Sequence, residues 1–318
     1  MAAALPYSPP PVASAPLRLT EPRDQRIAQV LLFVTPAMFT ANMVLARATA
    51  DFIPPVALAE LRWLGVVLVL LPFCGRELWR HRATLRRGWA RYALLGLLGM
   101  GICGAGVYRG AASTTATNIG LIYAVSPVMI ILLSRAMFGD RLSRRQGLGA
   151  GLALTGVLVI VLRGDPAALL ALSFSAGDLI ILAAAISWAL YTVLLKRWPD
   201  PLGVTARLTA IALAGVILLL PPLGWELASR GPPDFDLRTV AAVLTLVLVP
   251  GVGAYATYGY ITKHLGPGRT GLLLYMSPVY TAVLAWLLLG ETLALHHWLG
   301  AALVLPGLFF ATHKPATT

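Results

Sequence analysis

Long apolar stretches follow one another from about residue 27 to residue 312, separated by short charged or Pro/Gly-containing segments. Each stretch runs roughly 17 to 25 residues, which as a helix crosses about 30 Å of hydrocarbon. A bilayer offers backbone groups no water, so consecutive spans of this kind must satisfy their own hydrogen bonds as helices. The pattern predicts an all-α integral membrane protein of ten transmembrane helices, over 27–48, 56–73, 91–112, 114–138, 145–162, 176–196, 204–222, 239–263, 268–289 and 296–312. Pro54-Pro55, Gly139, Gly164-Asp165-Pro166, Pro199 to Pro201, Gly266-Pro267-Gly268 and Gly290 punctuate the connections.

Two of these stretches share a spelling. Residues 120–156 and 271–307 align without a gap at an offset of 151, and 14 of the 37 positions are identical. Shared leucines mean little in such a chain. Shared Gly120/Gly271, Ser126/Ser277, Pro127/Pro278, Gly139/Gly290, Gly149/Gly300 and Gly156/Gly307 mean an internal duplication, the signature of a carrier built from two halves. The expected organisation is a disordered cytoplasmic tail (1–26), a five-helix repeat (27–162), an external linker (163–175), a second five-helix repeat (176–312) and a short cytoplasmic tail (313–318).

Composition agrees with the pattern. The chain is 58% hydrophobic and 12% charged, too few charges to cover a soluble surface of this size. The net charge of +12 would point to nucleic acid in a soluble protein. Here the basic residues fall between the spans, so nucleic acid is not an expected partner. With the N-terminus in the cytoplasm, 19 of the 25 Lys and Arg lie on the inner side, six of them in the block Arg76, Arg80, Arg82, Arg86, Arg87 and Arg91. The positive-inside rule then puts both termini in the cytoplasm. Five helices per half is an odd number, so the second half enters the membrane upside down relative to the first. Cys74 and Cys103 form neither a disulfide framework nor a metal spacing, and no cofactor or metal is expected.

Candidate chemistry is sparse. Ser126-Pro127 and Ser277-Pro278 fall near mid-span, where proline removes a backbone hydrogen bond and the serine hydroxyl is expected to serve the freed backbone. With Pro250 in the glycine-rich eighth span they are the candidate hinges. The third span carries Gly96, Gly99, Gly101, Gly104, Gly106 and Gly110, read as close packing first and as bending second. Gly99 to Gly104 spells GxGxxG inside an apolar helix, which excludes a dinucleotide loop. Trp188 and Tyr191 are three apart and share a helix face, as do Tyr255 and Tyr258. With Asn42, Met43, Tyr108 and Tyr275 they form the candidate solute lining, against the alternative that aromatic residues belong to interfacial belts. Glu60 and Arg62 read as a local pair near the outer interface, free to snorkel.

These features together resemble the drug/metabolite transporter superfamily. Two five-helix halves, a Ser-Pro in helices 4 and 9, Gly139-Asp140-Arg141-Leu142 and Gly290-Glu291-Thr292-Leu293 carry the resemblance, and Tyr275-Met276-Ser277-Pro278-Val279 is similar to the EamA-type exporters. The overall look is similar to YddG-type bacterial amino acid exporters. The resemblance implies an inner-membrane carrier, not an enzyme, that exports small metabolites such as amino acids by alternating access. It also implies a cavity ringed by helices 1, 3, 4, 6, 8 and 9. A monomer is expected, with a dimer as the alternative. A multidrug exporter of the same fold is the competing reading, and an intramembrane enzyme a distant one, since neither HExxH nor paired acids occur at mid-span.

Overall fold

A computed structural model describes residues 22–49, 51–114, 116–139, 143–169, 175–280, 283 and 294–312. Every regular element among the described residues is helical. In chain order these are α1 (Pro22–Thr49), α2 (Pro55–Arg80), α3 (Arg82–Arg87) and α4 (Trp89–Gly96), which runs through a π-helical segment (Leu97–Gly106) into α5 (Val107–Ala111). Next come α6 (Ala116–Phe138), α7 (Arg144–Val161) and, beyond a 3-10 turn at Pro166–Leu169, α8 (Ala176–Arg197) and α9 (Val204–Arg230). α10 (Leu237–Leu246) runs through a second π-helical segment (Val247–Ala254) into α11 (Tyr255–Leu265). α12 (Pro267–Gly271), a 3-10 turn (Leu272–Met276) and α13 (Leu295–Thr312) close the described chain.

Five rods among the described residues are long and apolar enough to cross a membrane: Pro55–Arg80, Trp89–Ala111, Ala176–Arg197, Val204–Arg230 and Leu237–Leu265. Val125–Phe138 and Leu295–Ala311 are apolar and shorter. Part of the expected ninth span lies outside the described residues, as do Asp140 to Leu142 and Gly290 to Leu293.

Three boundaries differ from the expectation. α1 begins at Pro22, inside the stretch 1–26 expected to be a disordered tail, of which residues 1–21 lie outside the described residues. α2 continues past residue 73 to Arg80, and α3 and α4 carry the rest of the basic block, so these arginines stand on helices rather than on a loop. Arginine is a good helix former, and a helix can run past the hydrocarbon edge at little cost. α9 continues past residue 222 to Arg230, through Pro221 and Pro222. The extra turns bring Glu226 back to the start of α2, where its Oε2 accepts from the Ala57 amide at 2.8 Å. That amide is one of the orphan donors of a helix start, and neither Pro54 nor Pro55 offers it a side-chain cap. Elsewhere the caps are local: Ser143 with Gln146 on α7 and Ser175 with Asp178 on α8 form capping boxes. Asp178 also accepts from Thr114, so it anchors a helix start.

The duplicated glycines meet each other. A Cβ on Gly149 would lie 2.6 Å from the Gly307 carbonyl oxygen, and one on Gly156 2.6 Å from that of Gly300. The order of contacts reverses along the two helices, so α7 and α13 run antiparallel at backbone contact. An offset of 151 carries Gly149 onto Gly300 and Gly156 onto Gly307, so each contact maps onto the other.

The π-helical segments are also related. The first begins at Leu97 and the second at Val247, about the repeat distance apart in the chain. A π turn is rare and marks functional positions more often than chance. In the first one, the Leu98 carbonyl accepts from the Ser187 hydroxyl at 2.8 Å and the Gly99 carbonyl from Tyr255 at 3.1 Å. Both donors come from the second half of the chain, so the irregular backbone of one half is satisfied by side chains of the other.

Candidate functional site

Six aromatic rings gather where α1, α2, α8 and α11 face one another. Trp188 stacks on Tyr191 with centroids 5.5 Å apart and lies 4.8 Å from Tyr258. Tyr255 meets Trp63 at 4.8 Å and Trp188 at 5.5 Å, nearly perpendicular to each. Phe39 meets Trp188 at 5.4 Å, nearly perpendicular to it. Edge-to-face and offset geometries of this kind suit the ring quadrupoles. Phe39 and Trp63 belong to the first half of the chain, and the other four rings to the second.

Glycine shapes the surface on which these rings lie. A Cβ on Gly99 would stand 2.9 Å from the Tyr191 ring, and one on Gly104 would stand 3.1 Å from Trp63 Nε1. The close-packing expectation for the third span therefore describes these positions, with aromatic side chains as the partners. Two tyrosines are pinned by hydroxyl hydrogen bonds: Tyr255 to Gly99, as above, and Tyr258 with Thr192 Oγ1 at 2.7 Å.

A charged group lies at one edge of the cluster. Arg62 is 2% exposed. Its Nη1 donates to Asn42 Oδ1 at 2.9 Å and to the Tyr108 hydroxyl at 3.0 Å, and that hydroxyl donates to Asn42 Oδ1 at 2.8 Å. The guanidinium carbon sits 4.6 Å from the Trp63 ring centroid and 5.6 Å from that of Tyr255. The expected interfacial pairing of Arg62 with Glu60 is not what forms. Two residues apart on a helix point to nearly opposite faces, and Arg62 faces the rings while Glu60 is buried elsewhere with its Oε2 unpartnered among the described residues.

On the far side of Tyr191 and Tyr255 a cavity of about 230 Å³ reaches toward the end of the molecule where α8 and α11 finish. Lys196, Lys263 and Arg207 line it, with Asp200 as the acid. Asp200 is already engaged, accepting from Tyr92 and facing Arg207 Nε at 3.8 Å. Arg207 and Asp200 thus offset each other, and Lys263 adds a positive charge to the lining.

The expected residues separate into groups. Trp188, Tyr191, Tyr255 and Tyr258 come together in the ring cluster, and Asn42 and Tyr108 adjoin it through Arg62. Tyr108 is 3% exposed, so it does not belong to an interfacial belt. Tyr275 does not join them: it packs with Ile131, Val304 and Leu308 in a separate cluster, its hydroxyl without a partner among the described residues. The side chain of Met43 lies outside the described residues. Pro127 lies inside α6, Pro278 is the second residue of the helical stretch that follows the 3-10 turn, and Pro250 lies in the second π-helical segment. The Ser126 hydroxyl is buried and finds no partner among the described residues, so it does not serve the backbone as expected. Ser277 offers its carbonyl to Thr40 at 3.4 Å. The pattern passed over Phe39 and Trp63, and set Arg62 at the outer interface rather than beside the rings. The available signal was Arg62-Trp63, a cation beside the largest aromatic inside an apolar run.

Comparison with known proteins matches the chain to a family model. A model described as the EamA-like transporter family matches residues 26–162 and 175–312. The uncharacterized transporter YyaM of Bacillus subtilis is 27% identical over 286 residues, covering 87% of this chain and 90% of its own. A probable amino-acid metabolite efflux pump of Salmonella typhimurium is 28% identical over 280 residues, covering 84% and 89%. A solved protein crystal structure superposes with a TM-score of 0.70 at 22% identity, over 90% of this chain and 96% of the other, and so shares the fold.

Proposed function

The chain belongs to the EamA-like transporter family, and from that premise we propose that it is an inner-membrane secondary carrier exporting small organic metabolites, amino acids with aromatic side chains among them. The ring cluster carries the reading: six aromatic groups from both halves meet deep in the molecule, at the inner limit of a cavity that leads to one end. Rings of this kind offer a large apolar contact area, and the hydroxyls and indole nitrogens give polar handles. The relative from Salmonella typhimurium, described as a probable amino-acid metabolite efflux pump, supports the solute class.

The mechanism is alternating access by two inverted halves. The basic end is cytoplasmic, so the cavity takes solute from the inside. The hinges are the paired irregular segments: Pro127 and Pro278, and the two π-helical stretches with Pro250 in the second. Flux through purified protein in liposomes tests the reading, using a panel of labelled amino acids and cationic dyes with and without a pH gradient. Amino acid flux that falls in Pro278→Ala supports it. Dye flux without amino acid flux would instead favour the drug exporter.

A further inference from the structure

We infer that Arg62 is the specificity residue of this carrier: the solute presents a carboxylate to it, and an ammonium group is not required. The inference rests on reading the ring cluster as the solute site, and it adds the charge class of what binds there.

Arg62 has no carboxylate partner among the described residues. Its hydrogen bonds go to a neutral amide and a neutral hydroxyl, and its guanidinium carbon lies over the Trp63 and Tyr255 rings. Dipoles and quadrupoles keep the cation soluble in the protein, but they leave its full charge uncancelled. The side chain is also incompletely used. Its Nε is buried without a hydrogen-bond partner, and so is Nε1 of the adjoining Trp63. Two orphan donors beside an uncompensated guanidinium call for a ligand with acceptor oxygens, and carboxylate matches the planar fork of arginine.

The approach has the same sign. The cavity that ends at Tyr191 and Tyr255 is lined by Lys263, and by Arg207 facing Asp200 at 3.8 Å, the one acid among the described lining residues. Such a mouth draws in anions and repels cations. Tyr255 stands between the two regions: it lines the cavity, and it lies under the guanidinium on the other side. A solute with an aromatic body and a carboxylate would enter through the basic mouth, replace Tyr255 against the rings and place its oxygens on Arg62. A cation of the same shape would meet positive charge twice.

A ligand series differing only in charge tests this. Purified carrier in detergent is titrated with 3-phenylpropionate, phenylalanine and phenethylamine, following tryptophan fluorescence or heat. The expected order places 3-phenylpropionate at or above phenylalanine, with phenethylamine at least 100-fold weaker. Arg62→Gln is expected to remove the preference for the acid, and Arg62→Lys to retain part of it. Phenethylamine binding as tightly as the acid overturns the proposal using wild-type protein alone, even if Arg62→Gln fails to fold. So does unchanged acid binding in folded Arg62→Gln. Flux assays separate the two readings. Transport of phenethylamine but not of the acids leaves the carrier standing and removes Arg62 from its role. A wild type that neither binds nor moves any of the three sinks both.

Discussion

At the scale of single residues, the site is a set of rings made possible by small neighbours. Trp188 with Tyr191 and Tyr255 with Tyr258 were legible because two aromatics three apart must share a helix face. Phe39 was not, because one phenylalanine in an apolar run carries no signal of where it points. Arg62 was misplaced for a different reason: its nearness to Glu60 in sequence suggested a pair, while the partners that hold it, Asn42 and Tyr108, lie on other helices. Asn42 itself was legible, since an amide cannot face lipid unsatisfied. The glycine under Tyr191 gives a sharp expectation. In Gly99→Ala the new methyl carbon would stand 2.9 Å from the ring. The ring must move, at a cost of about 1–3 kcal/mol. Solute affinity is expected to fall by roughly 10-fold or more, since each 1.4 kcal/mol is a factor of ten. Gly147→Ala, with nothing within 4 Å, is expected to leave affinity unchanged. Equilibrium titration of the two variants measures the difference.

At the scale of elements, the five long rods among the described residues were legible from apolar length, and the ends of some of them were not. The expected seventh span ends at residue 222, yet α9 continues through Pro221 and Pro222 to Arg230, and with it comes the Glu226 cap on α2. The π-helical segments have no sequence spelling beyond richness in glycine, which fits close packing equally well. The antiparallel contact of α7 with α13 is the most constrained element pair. A Cβ on Gly149 would meet the Gly307 carbonyl oxygen and the Ala311 amide nitrogen, both at 2.6 Å, and backbone cannot yield as a side-chain tip does. Gly149→Ala is therefore expected to destabilise the fold by about 1–3 kcal/mol. Gly151→Ala, in open space on the same helix, is expected to be neutral or to gain a few tenths of a kcal/mol from helix propensity. Thermal unfolding in detergent distinguishes them, and equal melting temperatures would refute the packing account.

At the scale of the whole molecule, the duplication said more than any single motif. Its glycines became a contact between the halves, and its odd helix number predicted that one half lies inverted against the other. What the duplicated stretches 120–156 and 271–307 did not contain was the candidate solute site: four of the six rings come from one half and two from the other, all outside those stretches. A carrier needs this division, because the hinges must act alike on both faces while one solute occupies one place. The central claim is that the ring cluster is that place. Counterflow of labelled phenylalanine in proteoliposomes, comparing wild type with Trp188→Ala and Tyr191→Ala, tests it most directly. The expected result is saturable exchange in wild type and a loss of at least 10-fold in each variant, both still monodisperse in detergent. Wild-type exchange rates in both folded variants would contradict it.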